Sequence, residues 1–188
     1  MRTVAAYLRE RFRLALFGPL CLLLTAAAAW STGGVTTSPL PITVLLGAIL
    51  LLQFRLWDDL EDRSRDRHTH PTRVLVTAPA EPFRRVLAML AVAAIALSAR
   101  QPNAFAATLA LNIAFWCAYR VVRPRVSPNS WRFGLLLCKY PGFVGVMAIS
   151  LGDVDSARLG MAATAAYLCA SGYELLHDSP ARVGGGTS

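Results

Sequence analysis

The sequence predicts an all-α integral membrane protein, a bundle of about six transmembrane helices with N- and C-termini both cytoplasmic, and three observations predict it. The 188 residues are 55% hydrophobic and 16% charged, with a mean hydropathy of +0.45, which is too apolar and too poor in charge for an ordinary soluble domain. Between Arg13 and Arg55 there is no charged residue, where a soluble bundle would need polar helix faces. The basic residues are also segregated. A six-pass path leaves only Arg100 and Arg158, of 19 Lys and Arg, on the side opposite the N-terminus. The positive-inside rule requires that asymmetry, and an odd number of helices would scramble it.

The elements follow in order. The uncharged stretch is divided by Gly33, Gly34, Pro39 and Pro41 into two segments, each near the roughly 20 residues that cross a bilayer. Apolar runs then extend from Phe83 to Ala99, Asn103 to Tyr119, Phe133 to Leu151 and Leu159 to Tyr173. The third and sixth helices are short and span only with snorkelling flanks or a thin bilayer. Residues 1–183 are expected to form one transmembrane domain, and 184–188 a flexible, glycine-rich tail. Arg2, Arg9, Arg11 and Arg13 ahead of an apolar run also fit a signal peptide, with small residues from Thr25 to Ala29 for cleavage. The run continues into Trp30, so the helix is read as retained. Cys21, Cys117, Cys138 and Cys169 all fall within expected helices without ligand spacing, and read as small residues set in lipid or in the protein core.

A formal charge of +8 raises the question of nucleic acid. The arginines sit in loops that alternate with spans, with no basic helix or aromatic platform, so no nucleic-acid partner is expected. Anionic lipid of the bilayer and a diphosphate are the expected counter-charges. The protein is placed in a cytoplasmic membrane of the bacterial kind, with its site on the cytoplasmic face.

The chemistry concentrates in the segment from Trp57 to Arg73, directly after the second helix. If that helix continues, Asp58, Asp62 and Asp66 lie at i, i+4 and i+8 and form a carboxylate ridge. The ridge spans about 12 Å at 1.5 Å per residue. Mg²⁺ is the usual remedy for such crowding, since it takes one or two carboxylates together with phosphate oxygens. Two ions, or one ion and a second layer of contacts, would be needed, with a diphosphate bridging them. The other reading open here is a solvated loop in which neighbouring arginines pair with the acids. Lys139, the chain's one lysine, falls about 10 Å into the fifth helix beyond Arg132. An intramembrane cation is a candidate for phosphate contact, or else snorkels to the interface, and Tyr140 and Pro141 beside it suggest a kink. His68, His70 and His177 complete no catalytic arrangement and no zinc spacing.

The motif Asp58-Asp59-x-x-Asp62-x-x-x-Asp66, followed by His70-Pro71-Thr72-Arg73, resembles the first signature of the UbiA prenyltransferase superfamily, with Asp58 where Asn is usual and Val74 where Pro commonly follows. Tyr119-Arg120-Val121-Val122-Arg123 is similar to the family's diphosphate-contacting loop. Tyr173-Glu174 to Asp178 is similar to its second acidic motif, with Glu in the first position. The resemblance covers nearly the whole chain. It implies Mg²⁺ as cofactor, held by Asp58, Asp62, Asp66, Glu174 and Asp178. It also implies catalytic roles for Asp58, Asp59, Asp62 and Asp66, and diphosphate contacts from Arg73, Tyr119, Arg123 and Lys139. The family usually has nine helices. Six therefore imply a short form that is more open to lipid, completes itself as a homo-oligomer, or lacks catalysis.

The activity so implied moves a prenyl group from an allylic prenyl diphosphate to a lipophilic acceptor, aromatic or lipid. Cationic groups stabilise the negative charge that develops on the departing diphosphate. Two further readings stay open at this point: cyclisation or hydrolysis of the same diphosphate, which needs no acceptor, and a non-catalytic member of the family.

Overall fold

The computed structural model describes residues 2–33 and 39–177, so Gly34, Asp178 and the expected tail at 184–188 lie outside the described residues. The fold is all-α. Among the described residues no strand forms, and an isolated antiparallel bridge joins Thr32 to Val154.

Six long helices occupy the six apolar stretches: α2 (Leu14–Trp30), α3 (Leu40–Glu61), α6 (Glu81–Ser98), α7 (Pro102–Cys117), α9 (Lys139–Leu151) and α10 (Ser156–His177). Short helices α1 (Arg2–Arg11), α4 (Arg63–Thr69), α5 (Val74–Thr77) and α8 (Pro128–Gly134) gather at one end. Prolines near the starts of α3, α6 and α7 sit where a missing N–H leaves no helical bond broken. Among the described residues two helices are long and apolar enough to cross a membrane, Leu40–Glu61 and the continuous path Pro102–Arg125. They become three if α1 and α2, bent by 71°, count as one span.

The centre of the bundle is α3 against α9. Leu46, Leu50, Phe54, Phe143, Val144 and Met147 are all at most 1% exposed. Phe54 meets Phe115 and Phe143 edge-on, with both pairs of ring centroids 5.1 Å apart, a preferred geometry for aromatic pairs. Gly47 permits the close crossing of α2, α3 and α9, because a Cβ there would lie 2.7 Å from Met147 Cε and 3.3 Å from Cys21 Sγ. The buried hydroxyls of Thr25, Thr43, Ser98 and Thr108 each donate to the carbonyl four residues earlier, the local solution for a hydroxyl with no water near it. Gln53 on α3 donates to Asn112 on α7 at 2.6 Å, a polar link between helices. The outer faces of the bundle carry exposed Leu22, Leu23, Met89, Val92, Ile113 and Leu168, an apolar rim of the kind that faces lipid or a partner.

The two ends of the bundle differ chemically. At one, Asp155 N–H donates to the Ser31 carbonyl at 2.9 Å, and Gln101 reaches the Ser150 carbonyl. At the other, α1, α3, α5 and α6 meet in a small second core of Tyr7, Leu56, Leu75 and Phe83. Arg63 Nε there donates to Leu75 O at 2.9 Å and its Nη2 to Ala78 O at 2.5 Å, so a guanidinium satisfies the last carbonyls of α5.

The fifth expected helix is corrected. In place of a continuous run from Phe133, α8 ends at Gly134, a 3-10 turn follows over Leu136–Cys138, and α9 starts at Lys139. Pro141 has no N–H to give the Leu137 carbonyl, so the regular ladder begins beside it rather than bending through it. Lys139 is thereby the first residue of its helix and not a residue about two turns inside one.

Replacing Phe54 with Ala is expected to lower stability by about 3–5 kcal/mol, read as a reduced Tm of the detergent-solubilised protein. Leu23→Ala, on the exposed face of α2, is expected to change it little.

Candidate functional site

The aspartate ridge forms, although α3 closes at Glu61 and α4 opens at Arg63. Asp62 N–H donates to Asp58 O at 2.9 Å, Asp66 N–H to Asp62 O at 2.9 Å, and His70 N–H to Asp66 O at 2.7 Å. Backbone bonds thus link Asp58, Asp62, Asp66 and His70 in four-residue steps across the break at Asp62, and the three carboxylates stay on successive turns.

A basic or phenolic partner reaches each carboxylate of the ridge. Asp58 is buried and takes the Lys139 ammonium on one oxygen and the Tyr119 hydroxyl on the other. Asp62 takes Arg123. Asp66 takes Arg73 at 2.6 Å. All four residues expected at a diphosphate thus stand on the three ridge aspartates. The chain brings them there by distinct routes. Lys139 opens α9, Arg73 precedes α5, and Tyr119 lies in a π-helical turn, Ala118–Val122, that runs into a 3-10 turn over Arg123–Arg125. Such wide turns are frequent at functional sites, and they redirect side chains that a regular helix would place elsewhere.

Aromatic rings fix the basic groups. Trp57 stacks on Tyr119 with centroids 5.4 Å apart, and Tyr119 packs against Trp131 at 5.1 Å. The Arg123 guanidinium lies 5.8 Å from the Tyr119 ring and 5.9 Å from that of Trp131, within cation–π range. Lys139 Nζ lies 5.5 Å from the Tyr140 ring, and Glu174 on α10 is within electrostatic reach of the same phenol.

Asp59 points elsewhere. One residue along a helix is a rotation of about 100°, and Asp59 turns away from the ridge to α1. Arg11 grips it through Nε at 3.0 Å and Nη2 at 2.8 Å, Tyr7 OH donates at 2.9 Å, and Arg55 stands 3.5 Å away. A bidentate guanidinium is the strongest of these contacts. Burial first, and then the Asp59 charge, push the Tyr7 phenol above the usual tyrosine range, so it remains a donor throughout the physiological range. Sequence reasoning missed this second cluster. The i,i+4 spacing of Arg55 and Asp59 was visible, but nothing local connects Asp59 to a helix some fifty residues earlier.

Carboxylate oxygens are the right ligands for Mg²⁺, and the ion needs only one or two of them beside phosphate. Among the described residues no three acidic or imidazole groups converge on one point, because each ridge aspartate faces its own basic partner. The residues fit the ion in kind, as a site completed by phosphate oxygens. Of the second acidic motif, Glu174 lies at the same end of the bundle, while Asp178 lies outside the described residues.

Comparison with protein-family models, with curated proteins and with solved structures finds no match for this chain.

Lys139→Met would leave the Asp58 carboxylate buried without its counter-ion, and a loss of about 3–5 kcal/mol is expected. The double variant Asp58→Asn, Lys139→Met is expected to recover most of it. Thermal unfolding of these two variants and of Asp58→Asn alone, against the parent, measures the coupling.

Proposed function

We propose that this chain is a membrane prenyltransferase of the UbiA kind, which takes an allylic prenyl diphosphate with Mg²⁺ at the Asp58, Asp62, Asp66 ridge and transfers the prenyl group to an aromatic or lipid acceptor. The observation that carries the reading is the meeting of three carboxylates in register with Lys139, Tyr119, Arg123 and Arg73. These cations and the phenol have the donors that diphosphate oxygens accept.

The arrangement suits an exchange of partners. An entering diphosphate would draw Lys139, Arg123 and Arg73 from the carboxylates to its own oxygens. The aspartates so released would hold Mg²⁺, with Asp58 and Asp62 the central pair. Mg²⁺, when bound, supplies charge neutralisation for the leaving group. As the allylic C–O bond breaks, its electron pair goes to the diphosphate, where Arg123 and Lys139 meet the growing charge in a poorly hydrated site. The acceptor atom then bonds to the prenyl carbon, and its proton passes to the released diphosphate. Asp59, held by Arg11 and Tyr7, would anchor α1 over this end rather than touch substrate.

The finer topology belongs to the same proposal. All six long helices cross the bilayer, and the arginine-rich end with the site, together with both termini, faces the cytoplasm. The exposed apolar outer faces and the restriction of the aspartate ridge to one end support it.

One observation favours a second reading, a structural role without catalysis: every ridge aspartate already has a basic partner. A binding measurement separates the two. Purified protein in detergent is expected to bind a non-hydrolysable geranylgeranyl diphosphate analogue saturably and only with Mg²⁺, and Asp62→Ala to weaken binding at least about tenfold, the effect of one lost charge-assisted contact. An absence of binding by folded protein across short and long prenyl chains would establish the structural role. For the topology, in a cysteine-free background an impermeant maleimide is expected to label Asp153→Cys in intact cells and Arg67→Cys only after permeabilisation. Labelling of both from the same side would refute six crossings.

A further inference from the structure

On the far side of Trp57 from Asp58 lies a cleft of about 550 Å³ between the C-terminal end of α3, the N-terminal end of α6 and the C-terminal end of α7. Three guanidinium groups reach it, Arg63, Arg84 and Arg120, against a single carboxylate, Glu61. Arg63 is committed to the carbonyls of α5. Arg120 stands 4.0 Å from Glu61 with most of its side chain exposed, and Arg84 is exposed with no acidic partner among the described residues. Two basic groups are thus available to an incoming anion.

The rest of the wall is apolar: Trp57, Leu60, Leu87 and Trp116. Trp116 is 56% exposed, and from it an exposed ridge of Ile113 and Leu109 runs along α7 away from the charged end, at the i−3 and i−7 spacing of one helix face. A phosphate alone would make no use of that ridge. An ion with acyl chains would use both parts, and tryptophan at the border of charge and hydrocarbon is the usual anchor at headgroup depth.

We propose that this cleft binds an acidic phospholipid, its headgroup phosphate between Arg84 and Arg120 and its chains along Trp116, Ile113 and Leu109. Basic pockets between helices on the cytoplasmic side suit anionic headgroups, and the volume lies within the range of small-molecule sites. The site is separate from the aspartate ridge, none of whose members lines the cleft. The two share one wall, Trp57, which stacks on the Tyr119 ring that reaches Asp58.

The test is thermal unfolding of the full chain in a neutral detergent with increasing dioctanoyl phosphatidylglycerol. A saturable rise in Tm is expected, with none from dioctanoyl phosphatidylcholine or inorganic phosphate. Both arginine side chains are exposed, so Arg84→Ala with Arg120→Ala is expected to fold and to raise the half-saturating concentration at least about tenfold. Trp116→Ala is expected to weaken binding independently, and Asp62→Ala to leave it unchanged, whatever that variant does at the ridge. An equal rise with phosphatidylcholine would reduce the site to an apolar groove. An equal rise with phosphate would make it a soluble-anion site. An unaltered response in the arginine variant, or no saturable rise at all, would overturn the proposal.

Discussion

The buried pair of Asp58 and Lys139 is the constraint on which the charged end of this molecule depends. Each is nearly inaccessible, and each lies on one of the two helices that form the centre of the bundle. Desolvating both charges is expensive, and mutual attraction offsets it only where geometry is good and further hydrogen bonds complete the set. Tyr119 supplies that bond. The end of α3, the π turn after α7 and the start of α9 therefore meet at one point. Removing either charge strands the other in a place that water does not reach.

Exposure along the ridge is uneven. The Asp58 and Asp66 side chains are 9% and 13% exposed and Asp62 between them 42%, while Arg73 and Arg123 are 24% and 27% exposed. The result is a row of near-neutral pairs whose most open member, Asp62 with Arg123, stands in the middle. An open pair adds little stability, so these two are the members most easily drawn to another partner. Such a row suits an anion that brings its own counter-ion, because cations and carboxylates each gain a new opposite charge in a single exchange.

The two neighbours Asp58 and Asp59 divide the labour of this end. The first ties α3 to α7 and α9 within the bundle. The second, through Arg11 and Tyr7, ties α3 to α1, which lies across the end at a steep angle to α2. Trp57, the residue before them, faces a different neighbourhood again, with Tyr119 on one side and the arginine-lined cleft on the other. Three consecutive residues on a helix point in three directions, and Tyr119 is shared between two of them, its ring against Trp57 and its hydroxyl on Asp58.

The all-helical class, the positions of the six long helices and the aspartate ridge were legible in the amino-acid order. Each follows from a local rule: apolar length, the preference of proline for helix starts, and the period of 3.6 that stacks Asp58, Asp62 and Asp66. The residues that meet the ridge were legible only as types, through the resemblance of two loops and the oddity of a lysine among apolar neighbours. Which cation meets which aspartate, the turn of Asp59 towards α1, the delayed start of α9 at Lys139 and the cleft beside Trp57 were decided by tertiary structure. Those features arise where helices distant in sequence come within a few ångströms, and no periodicity along one segment encodes the rotation and height at which another packs against it.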